Sequence, residues 1–163
     1  MLSIQEKLLV LAKLAEEFNK ENLLWAVASS LLLYFKGYVD TFHDIDLMVA
    51  DSDAEKMEAI LHRFGELQPS TRGNFATKHF REFIVEGVEV DMIGGFAIVK
   101  DGNVYDCDLK APEITGFADA YGQQIPLHSV ALWRKYYAMI GRDQKVAIIE
   151  QNEPELASND LFK

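Results

Sequence analysis

The sequence predicts an α+β fold, a mixed β-sheet with helices packed on it. Helix-period and strand-period apolar patterns both occur, with the helical ones gathered towards the two ends of the chain and antiparallel strand signals in the middle. Length agrees: 163 residues suit one compact domain, since domains most often run to about 100–150 residues. Residues 1–150 read as a single domain and 151–163 as a polar C-terminal tail, which lacks a sustained apolar face and is expected to fray. No internal repeat, low-complexity tract or Pro/Gly/Ser linker divides them.

The first helix opens on a capping box, Ser3 with Glu6, and carries Ile4, Leu8, Leu11, Ala15 and Phe18 on one stripe. Leu23 to Ala28 is a short apolar run that reads as a buried strand. Ser29 and Ser30 interrupt it, and Leu31 to Phe35 forms a short helix ending near Gly37. Asp44 to Val49 alternates strictly, with Ile45, Leu47 and Val49 on one face and Asp44, Asp46 and Met48 on the other. A second capping box, Ser52 with Glu55, is expected to open a helix with the stripe Met57, Ile60, Leu61 and Phe64. Lys78 to Val85 and Val88 to Ile93 form a hairpin around Glu86-Gly87. Phe96 to Val99 and Val104 to Leu109 form another around Asp101-Gly102. One further β segment spans about Ile114 to Leu127. Ser129 then caps a helix with Leu132, Trp133, Tyr136 and Ile140 inside, and a last helix runs from Asp143 to Gln151.

Composition narrows the function classes. No apolar run approaches the roughly 20 residues of a membrane helix. The Met1 to Phe18 segment carries Glu6, Lys7, Lys13, Glu16 and Glu17, which fits an amphipathic helix and not a signal peptide. Cys107 is the only cysteine, so no intramolecular disulfide or Cys-based metal site forms, and a reducing, cytoplasmic setting is expected. The net charge of −10 argues against a general nucleic-acid-binding surface, which needs a basic face. Acidity itself has two readings, plain solubility or a carboxylate-lined site for cations.

Asp44 and Asp46 point to the second reading. At i and i+2 on a strand they share a face about 7 Å apart along the chain. Such neighbours repel and raise each other's pKa unless a divalent cation turns repulsion into ligation, and hard oxygen donors suit Mg²⁺ or Mn²⁺. The bland alternative is a solvated edge-strand face. Asp91 projects from Val88 to Ile93 opposite Val88, Val90 and Met92. If the two strands are neighbours, the three acids converge, with Glu89 as the rival of Asp91. Ser29 and Ser30, between strand and helix, offer hydroxyls and N–H groups that attract phosphate or simply cap the helix. His62, His79 and His128 show no ligand spacing, and Trp133, Tyr136 and Tyr137 read as core and rim of the last helices.

Trp25 to Ser30, Gly37, His43-Asp44-Ile45-Asp46-Leu47 and Val90-Asp91-Met92 together resemble the polymerase-beta-type nucleotidyltransferase superfamily. Gln124-Ile125-Pro126-Leu127, a helix bearing Lys135, and Arg142-Asp143 are similar to the ends of its small bacterial members. Those members are the lincosamide and aminoglycoside nucleotidyltransferases and the stand-alone minimal forms. The resemblance extends to about Glu150. It implies a nucleotidyltransferase-like sheet and transfer of a nucleoside monophosphate from a nucleoside triphosphate such as ATP to a hydroxyl of a small-molecule or macromolecular acceptor. It implies that Asp44, Asp46 and Asp91 are catalytic and hold two Mg²⁺ ions, with Asp91 drawing the acceptor proton, and that Ser29, Ser30 and Lys135 contact the donor. A homodimer or a partner subunit is compatible with it. Two positions depart from the pattern: Ala28 replaces the glycine before the serine, and Asp40 stands where many relatives have an arginine four residues before the first Asp. The alternative function is therefore a catalytically weak or inactive fold member that binds a nucleotide or a partner.

Overall fold

The computed structural model describes residues 2–69 and 76–158; the end of the polar tail, 159–163, lies outside them. Helix α1 spans Ile4–Lys20, and its Ser3–Glu6 capping box is formed in both directions. Strand β1 (Trp25–Val27) is wholly buried and leads into α2 (Ser29–Phe35), so the helix starts at the serines themselves. Strand β2 (Ile45–Val49) carries the alternating segment, and α3 spans Ala54–Phe64. Strands β3 (Glu66–Gln68), β4 (His79–Val85), β5 (Val88–Gly94), β6 (Ala97–Lys100) and β7 (Asn103–Asp106) follow. Strands β8 (Ile114–Ala120) and β9 (Gln123–His128) then lead to α4 (Val130–Met139) and α5 (Asp143–Asn152).

Among the described residues the main sheet has seven strands in the order β3-β4-β5-β2-β1-β9-β8, and β6 and β7 form a separate ribbon. The sheet is mixed: β2 runs parallel to β5 and β1 parallel to β9, while the other pairs are antiparallel. Strand β2 lies between β5 and β1 and buries Ile45, Leu47 and Met48 completely, which is why so short a strand reads as uniformly apolar apart from Asp46. Helix α1 packs on α3 and on β8–β9, α3 covers β3–β5, and α2 touches β2 and α4. No helix among the described residues is long and apolar enough to cross a membrane.

Four expectations need correction. The segment 114–127 is two strands, folded at Tyr121-Gly122, where both residues take positive φ (50° and 84°). This is a type I′ turn without its usual Asn or Asp, so the local turn signal is weak. The Ser52–Glu55 capping box does not form; the chain enters α3 through a 3₁₀ turn, Asp51–Asp53, with Asp53 at the cap position and no side-chain cap bond. The Asp53 carboxylate instead accepts the Leu24 N–H at 2.8 Å, tying this turn to the start of β1. Ile140 is not on the inner side of α4: it is the C-cap and 47% exposed, while Tyr137 and Met139 take the buried positions. The start of the tail is ordered rather than frayed: Pro154–Ser158 makes a 3₁₀ turn whose Leu156 packs against the core, and Tyr38 donates to Glu153.

Candidate active site

Parallel pairing of β2 with β5 sets Asp46 opposite Asp91 in register. Register partners on adjacent strands project to the same face, so the two acids stand side by side. Asp44, just before β2, points the same way, and one carboxylate oxygen from each of Asp44, Asp46 and Asp91 lies within 4.8 Å of the others. Asp91 is the most enclosed, at 4% exposure, and Asp44 and Asp46 are half-buried. Burial raises the Asp44 carboxyl to about 6, helped by a hydrogen bond with Glu89 and by the charges of Asp91 and Glu89, and opposed by His43. That is the response of carboxylates crowded together and partly withdrawn from water.

Glu89, the rival of Asp91, sits one pleat lower and more exposed. His43 Nε2 lies 2.9 Å from its Oε2 and 3.4 Å from Asp44 Oδ1. His43, Asp44 and Glu89 form a second set of ligand atoms within 4.8 Å, sharing Asp44 with the first. Asp40 is exposed, and the charges that act on Asp44 are those of Asp91, Glu89 and His43.

The serine turn borders the acids because β1 is the other neighbour of β2. The Ala28 N–H donates to the Asp46 carbonyl at 3.1 Å, and Ala28 has extended geometry (φ −138°, ψ 170°). Alanine is therefore unstrained there, and the left-handed residue is Ser29 (φ 57°). A β-carbon at such φ costs on the order of 1 kcal/mol, so surrounding contacts must hold Ser29 in place. One of them is the hydrogen bond between Ser29 Oγ and the Tyr137 hydroxyl, 2.9 Å. The Tyr137 hydroxyl has its pKa raised by burial above all, and the Asp46 charge adds to this.

Lys145 donates to Ser30 Oγ at 3.1 Å. Its ammonium is held below the usual lysine pKa by burial and by Arg142, against the opposing charge of Asp46. Arg142 and Lys145 therefore place two cations beside the serine turn and the nearest acid. Lys135 does not join them. It lies two residues from Tyr137 on α4, about 200° round the helix, and its charge acts on Cys107.

No protein-family model matches the sequence, and no curated protein matches it significantly. Solved structures do. A candidate nucleotidyltransferase from Thermotoga maritima is 25% identical with a TM-score of 0.70, over 94% of this chain and 96% of that one. The chain has the nucleotidyltransferase fold. ANT(2'')-Ia in complex with adenylyl-2''-tobramycin superposes at a TM-score of 0.63 with 11% identity, over 93% of this chain and 92% of that one. Lincomycin-bound LnuA, a lincosamide antibiotic adenylyltransferase, gives 0.56 with 11% identity, over 89% of this chain and 96% of that one.

Two residues of this nucleotidyltransferase-fold site escape a reading of the sequence by motif, and Arg142, quoted in the family likeness, was given no role there. Tyr137 looks like core. Glu82 pairs with Asp91 across the β4–β5 register and extends the acidic row to a third strand. Its available signal was its place on β4 between Phe80 and Ile84, an acid among apolar residues at strand spacing.

Proposed function

We propose that this protein is a Mg²⁺-dependent nucleotidyltransferase that moves a nucleoside monophosphate from a nucleoside triphosphate to a hydroxyl of a small-molecule acceptor. The observation that carries the reading is the convergence of Asp44, Asp46 and Asp91 beside a serine turn in a nucleotidyltransferase fold. The donor set fits Mg²⁺: three carboxylates, no soft ligand, and an acid whose ionised form is disfavoured by burial and by its acidic neighbours. Two bound Mg²⁺ ions would neutralise charge on the attacking and leaving oxygens of an in-line displacement.

The chain's own residues do the rest. Ser29 and Ser30 donate to phosphate oxygens, Lys145 and Arg142 balance the charge of the triphosphate, and Tyr137 orients the Ser29 hydroxyl. Asp91, the most enclosed of the three acids, takes the acceptor proton. The acceptor oxygen bonds to the α-phosphorus, the bond from that phosphorus to the α–β bridging oxygen breaks, and pyrophosphate leaves.

A cavity of about 690 Å³ is lined among others by Leu2, Lys7, Phe42, Val88, and by His43 and Glu89, which lie against Asp44. Small-molecule sites occupy about 300–1,000 Å³, and the cavity reaches the acids through His43 and Glu89, so we place the acceptor there. The small-molecule class draws support from the fold neighbours solved with adenylyl-2''-tobramycin and with lincomycin.

The test is calorimetric binding of each of the four ribonucleoside triphosphates with Mg²⁺, followed by pyrophosphate release against a panel of hydroxyl-bearing antibiotics. Mg²⁺-dependent binding with acceptor-dependent release supports the enzyme. Binding without release for any acceptor favours the binding-module alternative, and no binding at all removes both.

A further inference from the structure

We infer that Arg134 and Glu150 are a positioning pair, which fixes α5 against α4 so that Lys145 is held on Ser30 for the triphosphate. The inference rests on the phosphate role proposed above for Ser30 and Lys145. Arg134 is 5% exposed, an uncommon place for a guanidinium unless it is paired. Its Nε donates to Glu150 Oε2 at 2.7 Å, and its Nη2 donates to the same oxygen. The pair joins the middle of α4 to the far end of α5.

Apolar packing alone gives α5 little to hold its register. Ile149 is its buried residue, and Val146 and Ile148 are only partly covered. Apolar contacts are non-directional, so one buried and two partly covered side chains set the register of the helix only weakly. A buried ion pair is directional, and its best attested use is to specify register. Lys145 lies five residues before Glu150, about 7.5 Å along the helix axis, so the position of Glu150 sets the height of Lys145. A slip of one turn, about 5.4 Å, would break its 3.1 Å bond to Ser30.

The other helix is tied in the same way. Arg134 and Tyr137 are three residues apart on α4, neighbours on one helix surface, and Tyr137 reaches Ser29. The two serines are thus each held by one helix, and the Arg134–Glu150 pair sets the spacing between those holds.

The test has two arms. In the ligand-free protein, NMR cross-relaxation between the Lys145 Cε protons and the Ser30 Cβ protons reports the contact. It is expected in the native chain and lost in Glu150→Gln. Because that variant leaves a buried guanidinium uncompensated and can unfold, Arg134→Met with Glu150→Leu removes both charges and should lose the cross-peak while folded. The second arm measures Mg²⁺–tripolyphosphate binding, a probe that needs no base preference. Glu150→Gln and Lys145→Met should each weaken it about tenfold, and the double variant should be no weaker than Lys145→Met, because Glu150 acts through Lys145. A cross-peak that survives in the folded variants, or effects that multiply to about a hundredfold, overturns the inference. If the native chain binds no tripolyphosphate, the phosphate role of the serine turn falls, and the cross-peaks still decide whether the pair positions Lys145.

Discussion

Replacing Asp44 by asparagine should stabilise the protein when no divalent metal is present. The carboxyl of Asp44 is raised from 3.8 to about 6. Below about pH 3.8 both folded and unfolded chains hold the proton, and the residue is neutral in its effect. Between the two values the folded chain keeps a proton that the unfolded chain has released, so stability falls as pH rises. Above about pH 6 the whole penalty applies. The gap corresponds to at most about 3 kcal/mol, and since the side chain keeps 19% exposure, water screens part of it; about 1–3 kcal/mol is expected. Asparagine keeps the shape and cannot ionise, so Asp44→Asn should melt on the order of 2–10 °C higher at pH 8 and equal to the native chain near pH 4. Thermal melts in chelator across that range measure it. Repeating them with Mg²⁺ should raise the native melting temperature, by the usual coupling of ligand binding to folding, and move the variant much less. An asparagine variant that melts below the native chain at pH 8 in chelator, or a difference that does not change with pH, would refute the electrostatic reasoning.

Ala28→Gly should change Mg²⁺–triphosphate affinity by less than tenfold in calorimetry, because Ala28 is extended and the left-handed position is Ser29; a larger gain would show that the β-carbon obstructs the cradle. Gly65→Ala should lower stability by several kcal/mol in denaturant unfolding, since a β-carbon there would lie 2.3 Å from the Ile84 carbonyl oxygen, a main-chain atom with little room to give. His128 is fully buried, and burial lowers its pKa despite a 3.0 Å contact with Glu113. The unfolded chain therefore protonates this residue first, and its contribution to stability, complete above about pH 6.5, falls as pH drops below that value; His128→Gln should flatten this part of the pH–stability curve.

The parts of the site that lie within one strand were legible in the sequence. Period-two alternation places Asp44 and Asp46 on one face of β2, and the same rule places Asp91 on β5, because side-chain direction on a strand is a local property. What brings Asp91 to Asp46 is the pairing of two distant strands, which alternation does not encode; it required the likeness to a known family. The Lys145–Ser30 contact was less legible still. It depends on how α5 docks, and one partly buried lysine on a weakly amphipathic helix carries no pattern of its own. Lys135, expected at the donor through the family likeness, faces another part of the molecule for the same reason. The β8–β9 hairpin was hidden by turn chemistry, since Tyr121 gives no sign of adopting positive φ.

The parallel alignment of β2 with β5 also governs when the acidic centre can exist. Parallel neighbours need a long crossover, and the chain passes through α3, β3 and β4 before β5 is laid down. Asp46 and Asp91 thus meet only through a contact of high sequence separation, the kind whose loop-closure entropy must be met before the contact contributes. A truncated chain ending at α3 retains Asp44 and Asp46 but lacks the third acid. A cation held by this centre would therefore report the pairing of β2 with β5, and it is expected to slow amide exchange in the two strands together, coupling segments that the backbone joins only at a distance.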